Sequence, residues 1–376
     1  MTAYCAQWIT NDPSPTLIRY IGQAGSIGSP WTPSQAAATG VFNTVPPWCY
    51  MQRVNLLDNG VVSAVYGDKC YTDTNVSTFG QAMVYVPQFC LYIDTLTANQ
   101  VWYWVGQIGD TFRLSDNSRD YTFTAADIHQ AFFVDGKAKS FFAISAYEAY
   151  VNSSNLLESK AFVTPSTIPT LQNLRSYAQA RGAGWGLQTI QGLSAVRLLC
   201  LVEYASWNMG NILGRGSQTG GAPVNTGYTA MGGTCPRGNA SCGSISYNTI
   251  PMSYRGVENL WGNSQQWIDG IHFVDCVGYI LPQTAVQASY QDSTWPGTGY
   301  ASTGITVPLS QGGEISYVNS WHFLPSAVST GGQYCCGIVF SQNGNFNTFN
   351  MVAGITTIRL YRVAGESSRL HYFPPV

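Results

Sequence analysis

The strongest constraint in this sequence is a run from about Thr189 to Trp207 with helical periodicity and almost no polar face. Leu193, Val196, Leu199 and Val202 fall along one side, and the consecutive Leu198, Leu199, Cys200 and Leu201 leave little room for another. A helix that is apolar nearly all round belongs in an interior. Glu203 lies inside the run and therefore needs a partner, because an unpaired carboxylate in apolar surroundings is costly. A shorter helix precedes it. Thr170 is placed to cap that helix, Leu171, Leu174, Tyr177 and Ala178 recur at helical spacing, and Arg181-Gly182-Ala183-Gly184 ends it.

The remainder has the texture of strands. Val61–Tyr66, Ala82–Asp94 and Gln100–Ile108 are β-branched and aromatic, with turn residues such as Asp58-Asn59-Gly60 between runs. Phe132–Phe133, Asp135-Gly136 and Ser140–Tyr150 read as a further strand, turn and strand. Residues 209–250 form a long loop dense in Gly, Asn, Thr and Ser, a length that inside a domain is often functional. The fold class is therefore α+β: mostly antiparallel β structure with two helices and long irregular insertions. Residues 1–47 are rich in Ser, Pro, Gly and Thr and read as an N-terminal arm or assembly segment. Residues 48–376 read as one domain, strand-rich over 48–165, with the helices and the rest of the core in 166–376.

Composition excludes several functions. Charged residues are 10% of the chain, against roughly 25% in an average soluble domain, so surface polarity falls to neutral side chains and backbone. A net charge of −2 leaves no surplus of Lys and Arg to neutralise phosphates, which argues against nucleic acid as a partner. The first residues show no basic segment followed by an apolar run, and no apolar stretch of about 18 residues is present to span a bilayer. Synthesis and assembly in a cytoplasm are expected.

Nothing among the motifs points to catalysis or a metal. The ten cysteines contain no C-x-x-C pair; Cys235 and Cys242 are spaced to close a local bridge, and the adjacent Cys335 and Cys336 would face opposite sides of a strand. The four histidines, His129, His272, His322 and His371, are scattered, without metal-ligand spacing. Nucleophile-elbow, phosphate-loop and dinucleotide fingerprints are lacking as well. Asp269 and Asp275 flank His272 in a block that reads as scaffold. No enzyme activity, cofactor or metal is expected.

Several stretches resemble a known family. They include Leu174-Arg175-Ser176-Tyr177-Ala178, Arg181-Gly182-Ala183-Gly184-Trp185-Gly186 and Leu201-Val202-Glu203-Tyr204-Ala205. The most specific is Tyr254-Arg255-Gly256-Val257-Glu258-Asn259-Leu260-Trp261-Gly262-Asn263, closing with Trp267-Ile268-Asp269-Gly270. Together these look like phage and prophage tail proteins related to the variable proteins of diversity-generating retroelements. The resemblance covers roughly Trp48 to Phe373 and implies a C-type-lectin-like fold of the formylglycine-generating-enzyme subtype. It also implies a tail or fibre-tip protein of the virion that binds the host surface. The chain departs from the family at Gly262-Asn263-Ser264-Gln265-Gln266-Trp267, which has one Trp fewer, and at Met351–Gly365, which replaces the variable strand. The resemblance thus does not extend to targeted diversification.

Within the motif block, Arg255, Glu258, Asn259, Trp261, Gly262, Asn263, Trp267, Asp269 and Gly270 read as structural. Gly256, Gly262 and Gly270 suit turns that a Cβ would oppose, Trp261 and Trp267 suit a core beside the helices, and Arg255 is placed to pair with Glu203 or Glu258. Candidate ligand-binding residues are Tyr290, Trp295, Tyr300, Trp321, Tyr334, Asn345 and Phe346, in stretches whose Tyr, Trp, Ser, Gly and Asn content is like that of antibody paratopes. The expected partners are a host cell-surface receptor, protein or glycan, other virion proteins through the N-terminal segment, and further copies of the chain in a homo-oligomer. A structural virion subunit at a tail tip or on a head is the alternative, and an oxidase like the formylglycine-generating enzymes a third.

Overall fold

The computed structural model describes residues 2–9, 16–31, 40–166, 171–206, 209, 212–214, 216–217, 223–244, 250–274, 277–280, 298–299, 335–337, 352–354 and 366–375. Two antiparallel sheets dominate. Their strands, in chain order, are β1 (Tyr4–Ile9), β2 (Ile18–Ile21), β3 (Pro30–Trp31), β4 (Gln52–Leu56), β5 (Val62–Val65), β6 (Gln81–Pro87), β7 (Cys90–Asp94), β8 (Gln100–Gly106), β9 (Phe141–Ser145), β10 (Trp185–Leu187) and β11 (Leu370–Tyr372). The first sheet has the order β3-β2-β1-β8-β7, and the second β10-β11-β9-β6-β4-β5. With a handful of helical segments among them, this is the α+β architecture read from the sequence.

The helices are α1 (Val76–Phe79), α2 (Leu171–Gln179) and α3 (Ile190–Tyr204), beside a helical turn at residues 40–42. All fifteen residues of α3 are buried, as its apolar circumference requires. Thr189 caps it by accepting from the Gly192 N–H, and the helix stops at Ala205 in the left-handed region, short of Trp207. α3 packs on β1 and β8, while Gly192, in its first turn, meets His371 of β11. A Cβ there would lie 2.5 Å from the imidazole Cε1, so this close approach of helix to second sheet needs glycine. The helix thereby joins both sheets.

The expected arm at 1–47 is corrected over its described residues. β1 sits in the middle of the first sheet, its register running from Tyr4 opposite Val105 to Ile9 opposite Gln100. Ala3, Tyr4, Cys5, Ala6, Leu17 and Phe42 belong to the main core, and the Leu17 N–H donates to Ala205 O at the end of α3. The Ser/Pro/Gly-rich composition concealed a strand whose apolar residues lie within a single short run, Tyr4–Ile9.

A second correction concerns Ala82–Asp94. This is two strands in different sheets, β6 and β7, with the change of sheet at Gln88-Phe89 just after Pro87. Proline cannot donate to a ladder, which ends β6 there. Hairpins elsewhere follow their turn residues. Asp135 and Gly136 both take positive φ between Phe133–Val134 and Lys137–Ala138.

Aromatic rings cover one side of the first sheet. Trp102 stacks on Trp104 with centroids 6.0 Å apart, and Trp104 on Phe112 at 4.3 Å. Tyr20 meets Trp102 at 4.5 Å and Tyr92 meets Tyr121 at 4.2 Å. Phe112 and Tyr121 come from a small hairpin, Thr111–Arg113 with Asp120–Thr122, folded onto the sheet.

Candidate functional site

The motif block is interior. Ser253–Tyr254 and Val257–Glu258 pair as a minimal hairpin whose two turn residues, Arg255 and Gly256, both have positive φ (43° and 91°). That is the geometry of a type I′ turn, in which the second position is ordinarily glycine. Asn259, Gly262, Asn263 and Gly270 also take positive φ, so the block folds as a series of left-handed turns. Trp261 is fully buried in the main core with its Nε1 donating to Gly214 O, and Trp267 packs in the second cluster with Leu174, Ala178 and Trp185.

These turns bring charged side chains inward. Arg255 forms a two-point pair with Glu203, Nε to Oε2 at 2.7 Å and Nη2 to Oε1 at 2.8 Å. The Tyr254 hydroxyl donates to the same carboxylate at 2.9 Å. Burial pushes the Glu203 carboxyl up from the usual range, and the Arg255 guanidinium beside it pulls it back. The partner expected for Glu203 is thus Arg255, and Glu258 takes another role. Its two oxygens accept from the backbone N–H groups of Gly227 and Thr229, each at 2.7 Å, fixing the long loop against the block.

A second arginine completes that cluster. Arg53 of β4, fully buried, donates to Gly256 O, to the Tyr147 hydroxyl at 2.8 Å and to the Thr229 hydroxyl at 2.6 Å. Tyr147 and Tyr71 pass the network on by donating to Asp73 at 2.8 and 2.7 Å. Burial opposes the Arg53 charge, but Tyr147, Tyr71, Asp73 and Glu258 outweigh it and raise its pKa.

Glu148 anchors a third cluster. It accepts from the amides of Asn259 and Asn263 and from the Ser264 hydroxyl, and Ser264 meets Ser367 at 2.5 Å. Arg369 closes the cluster, donating to Gln266 Oε1 at 3.1 Å and to the carbonyls of Ser145, Glu258 and Asn259. Burial lowers the Arg369 pKa to about 10, which still leaves it charged near neutrality. Asp269 pairs with Arg175 of α2 through two contacts of 2.9 and 2.7 Å and stands in a structural role.

The charged side chains of the block are thus engaged in holding turns, loop and helices together, and none of its described side chains is presented to solvent. Sequence reasoning found Arg255, Glu203, Glu258 and Asp269 but missed Arg53, Asp73 and Thr229. The run Gln-Arg-Val-Asn-Leu gave no signal of this, because alternation puts Arg53 and Asn55 opposite Val54 and Leu56, on what is ordinarily a solvent face, whereas both faces of β4 are buried.

The candidate ligand-binding residues Tyr290, Trp295, Tyr300, Trp321, Tyr334, Asn345 and Phe346 lie outside the described residues. Cys335 and Cys336 fall in a strand registered opposite Trp267 and Gln266. Among the described residues, no group of three or more His, Cys, Asp or Glu is placed to hold a metal, and no helix is long and apolar enough to cross a membrane. His129 is buried with Nδ1 accepting from the Ala131 N–H, while Asp275 and His322 lie outside the described residues. No model of a known protein family matches the chain, and no curated protein matches it.

Proposed function

We propose that this chain is a virion protein of the C-type-lectin-like fold, carried at a phage tail or fibre tip, that binds the host cell surface and catalyses no reaction. The carrying observation is a division of labour along the sequence. The motif block, 253–270, spends its charged groups on internal contacts. The following chain, from Glu314 to Arg359, contains no charged residue between those two, yet holds Tyr317, Trp321, Phe323, Tyr334, Phe340, Phe346 and Phe349. A rigid polar scaffold followed by a long neutral, aromatic, Ser/Asn/Gly-rich segment has the composition of a recognition surface.

In this reading Tyr290, Trp295, Tyr300, Trp321, Tyr334, Asn345 and Phe346 supply contact area and neutral hydrogen bonds to a protein or glycan receptor. Such a surface pays little to desolvate and has no charges with which to steer a partner, so its binding is only weakly sensitive to salt. Attachment to other virion proteins and homo-oligomer formation belong to the same reading, without a free N-terminal arm.

The test is binding of the purified protein to intact bacterial cells, before and after treatment with protease or periodate. Saturable binding, lost on one treatment and little changed between low and high salt, supports the reading and distinguishes a protein receptor from a glycan. Absence of binding across a panel of strains, together with rings or stacks by electron microscopy, replaces it with a structural virion subunit.

A further inference from the structure

Cys235 and Cys242 bound the octapeptide Cys-Pro-Arg-Gly-Asn-Ala-Ser-Cys in the long loop, and both ends are pinned. The Cys235 N–H donates to Tyr228 O at 2.9 Å. Cys242 and Ser253 exchange both backbone hydrogen bonds, at 2.9 and 2.7 Å. Held this way, the two half-buried thiols meet each other, and Arg237 Nε donates to Cys235 Sγ at 3.4 Å. The segment between them reaches both arginine clusters. Asn239 Oδ1 accepts from the Arg53 N–H at 2.6 Å, and Ser241 Oγ accepts from the Arg255 N–H at 3.0 Å.

We propose that Cys235 and Cys242 are a reversible redox pair, closed to a disulfide by exchange with a low-molecular-weight disulfide such as glutathione disulfide, and that the bridge clamps this loop over the Arg53 and Arg255 clusters. Cys235 attacks first, its sulfur already oriented by the hydrogen bond from Arg237. Its sulfur bonds to one glutathione sulfur, the glutathione disulfide bond breaks, and one glutathione leaves as thiolate and takes up a proton. Cys242 then loses its proton to solvent and attacks the Cys235 sulfur, expelling the second glutathione. Two protein thiols are oxidised and one glutathione disulfide is reduced to two thiols. Burial pushes the Cys242 thiol up to about 12, with neighbouring Cys235 adding to the rise.

The experiment equilibrates the full-length protein in glutathione buffers of graded poise, traps free thiols by alkylation and maps peptides by mass spectrometry. Exposed Cys70 is the internal control. At a poise where fewer than about a tenth of chains carry glutathione on Cys70, more than about half should carry the Cys235–Cys242 bridge, because ring closure is intramolecular. Equal oxidation of all three cysteines would overturn the proposal. Cys242→Ser should accumulate glutathione on Cys235, and failure to do so overturns the assigned order of attack. Reducing the bridged wild-type protein should lower its Tm by about 3 °C; an unchanged Tm removes the clamp.

Discussion

Two parts of the interior, both touched by α3, are held together in different ways. Along β1, β7 and β8 the fold is held by rings: Trp102, Trp104, Phe112, Phe123 and Tyr4 pack with little directional chemistry. Around the 253–270 block it is held by Arg53, Arg255, Arg369 and Arg175, each matched to carboxylates or carbonyls at hydrogen-bond distance. Apolar packing is roughly proportional to area and forgiving of shape. Buried ion pairs about break even in stability but are unforgiving of a missing partner. The aromatic half thus supplies the stabilisation and the motif half the geometry, which suits a scaffold that must hold long irregular segments in one arrangement.

The sharpest way to break this comparison is to unpair a charge. Arg255→Met leaves Glu203 buried without its guanidinium and should cost about 3–5 kcal/mol, read as a large fall in the urea midpoint. The double variant Arg255→Met, Glu203→Leu should recover at least half of that loss, since both charges then go together. In the aromatic half, Phe123→Leu removes a ring from a fully buried site yet should cost only about 1–1.5 kcal/mol. Equal losses for Arg255→Met and Phe123→Leu, with no rescue by the double variant, would mean the two halves do not differ in kind.

Legibility in the sequence follows the same divide. α3 was readable because an apolar circumference has one explanation, and Glu203 within it announced a missing cation, found in Arg255. The turn residues Asp135-Gly136 and Gly256 marked their hairpins because positive φ is costly for most other residues. What could not be read is long-range and directional. Arg53 reaches Thr229, 176 positions away, and nothing local in either neighbourhood specifies that pairing. β1 escaped notice since its partner β8 lies nearly a hundred residues on, and strand pairing at that separation leaves no periodic trace. The change of sheet between β6 and β7 was hidden because a single apolar run serves two sheets equally well.

His371 carries the comparison to a group between the halves. Its ring lies against Phe142 and Phe373, neither ring nitrogen has a hydrogen-bond partner among the described residues, and burial pushes its pKa down to about 3. The unfolded value is near 6.5, so the unfolded chain binds this proton first and stability falls as pH drops below that point. Between pH 6.5 and 5 the loss should be about 2 kcal/mol. Glu148 and Glu203 act in the opposite sense, since raised carboxyl pKa values favour the folded state as pH falls. Subtracting the profile of His371→Leu isolates the histidine. The parent should lose stability over this interval relative to the variant, and parallel profiles would show that the imidazole is hydrated or partnered in solution.

The smallest effect compares like with like. Arg113 and Asp120 pair at 2.9 Å across the small hairpin, with side chains about a fifth and a third exposed. Arg255 and Glu203 pair at 2.7 Å with almost no exposure. The functional groups and distances are nearly the same; the surrounding solvent differs. Water screens the first pair and hydrates whichever partner is left alone, so Asp120→Asn should cost no more than about 0.5–1 kcal/mol. Asp120 Oδ1 also accepts from the Gly25 N–H, an acceptor that asparagine retains in its amide oxygen, which keeps the expected loss at the low end. Added salt should shrink the difference between Asp120→Asn and parent further while leaving the Arg255→Met penalty almost unchanged. A salt response of equal size at both pairs would show that water reaches Glu203, and the motif block would then be a wet cleft instead of a dry scaffold.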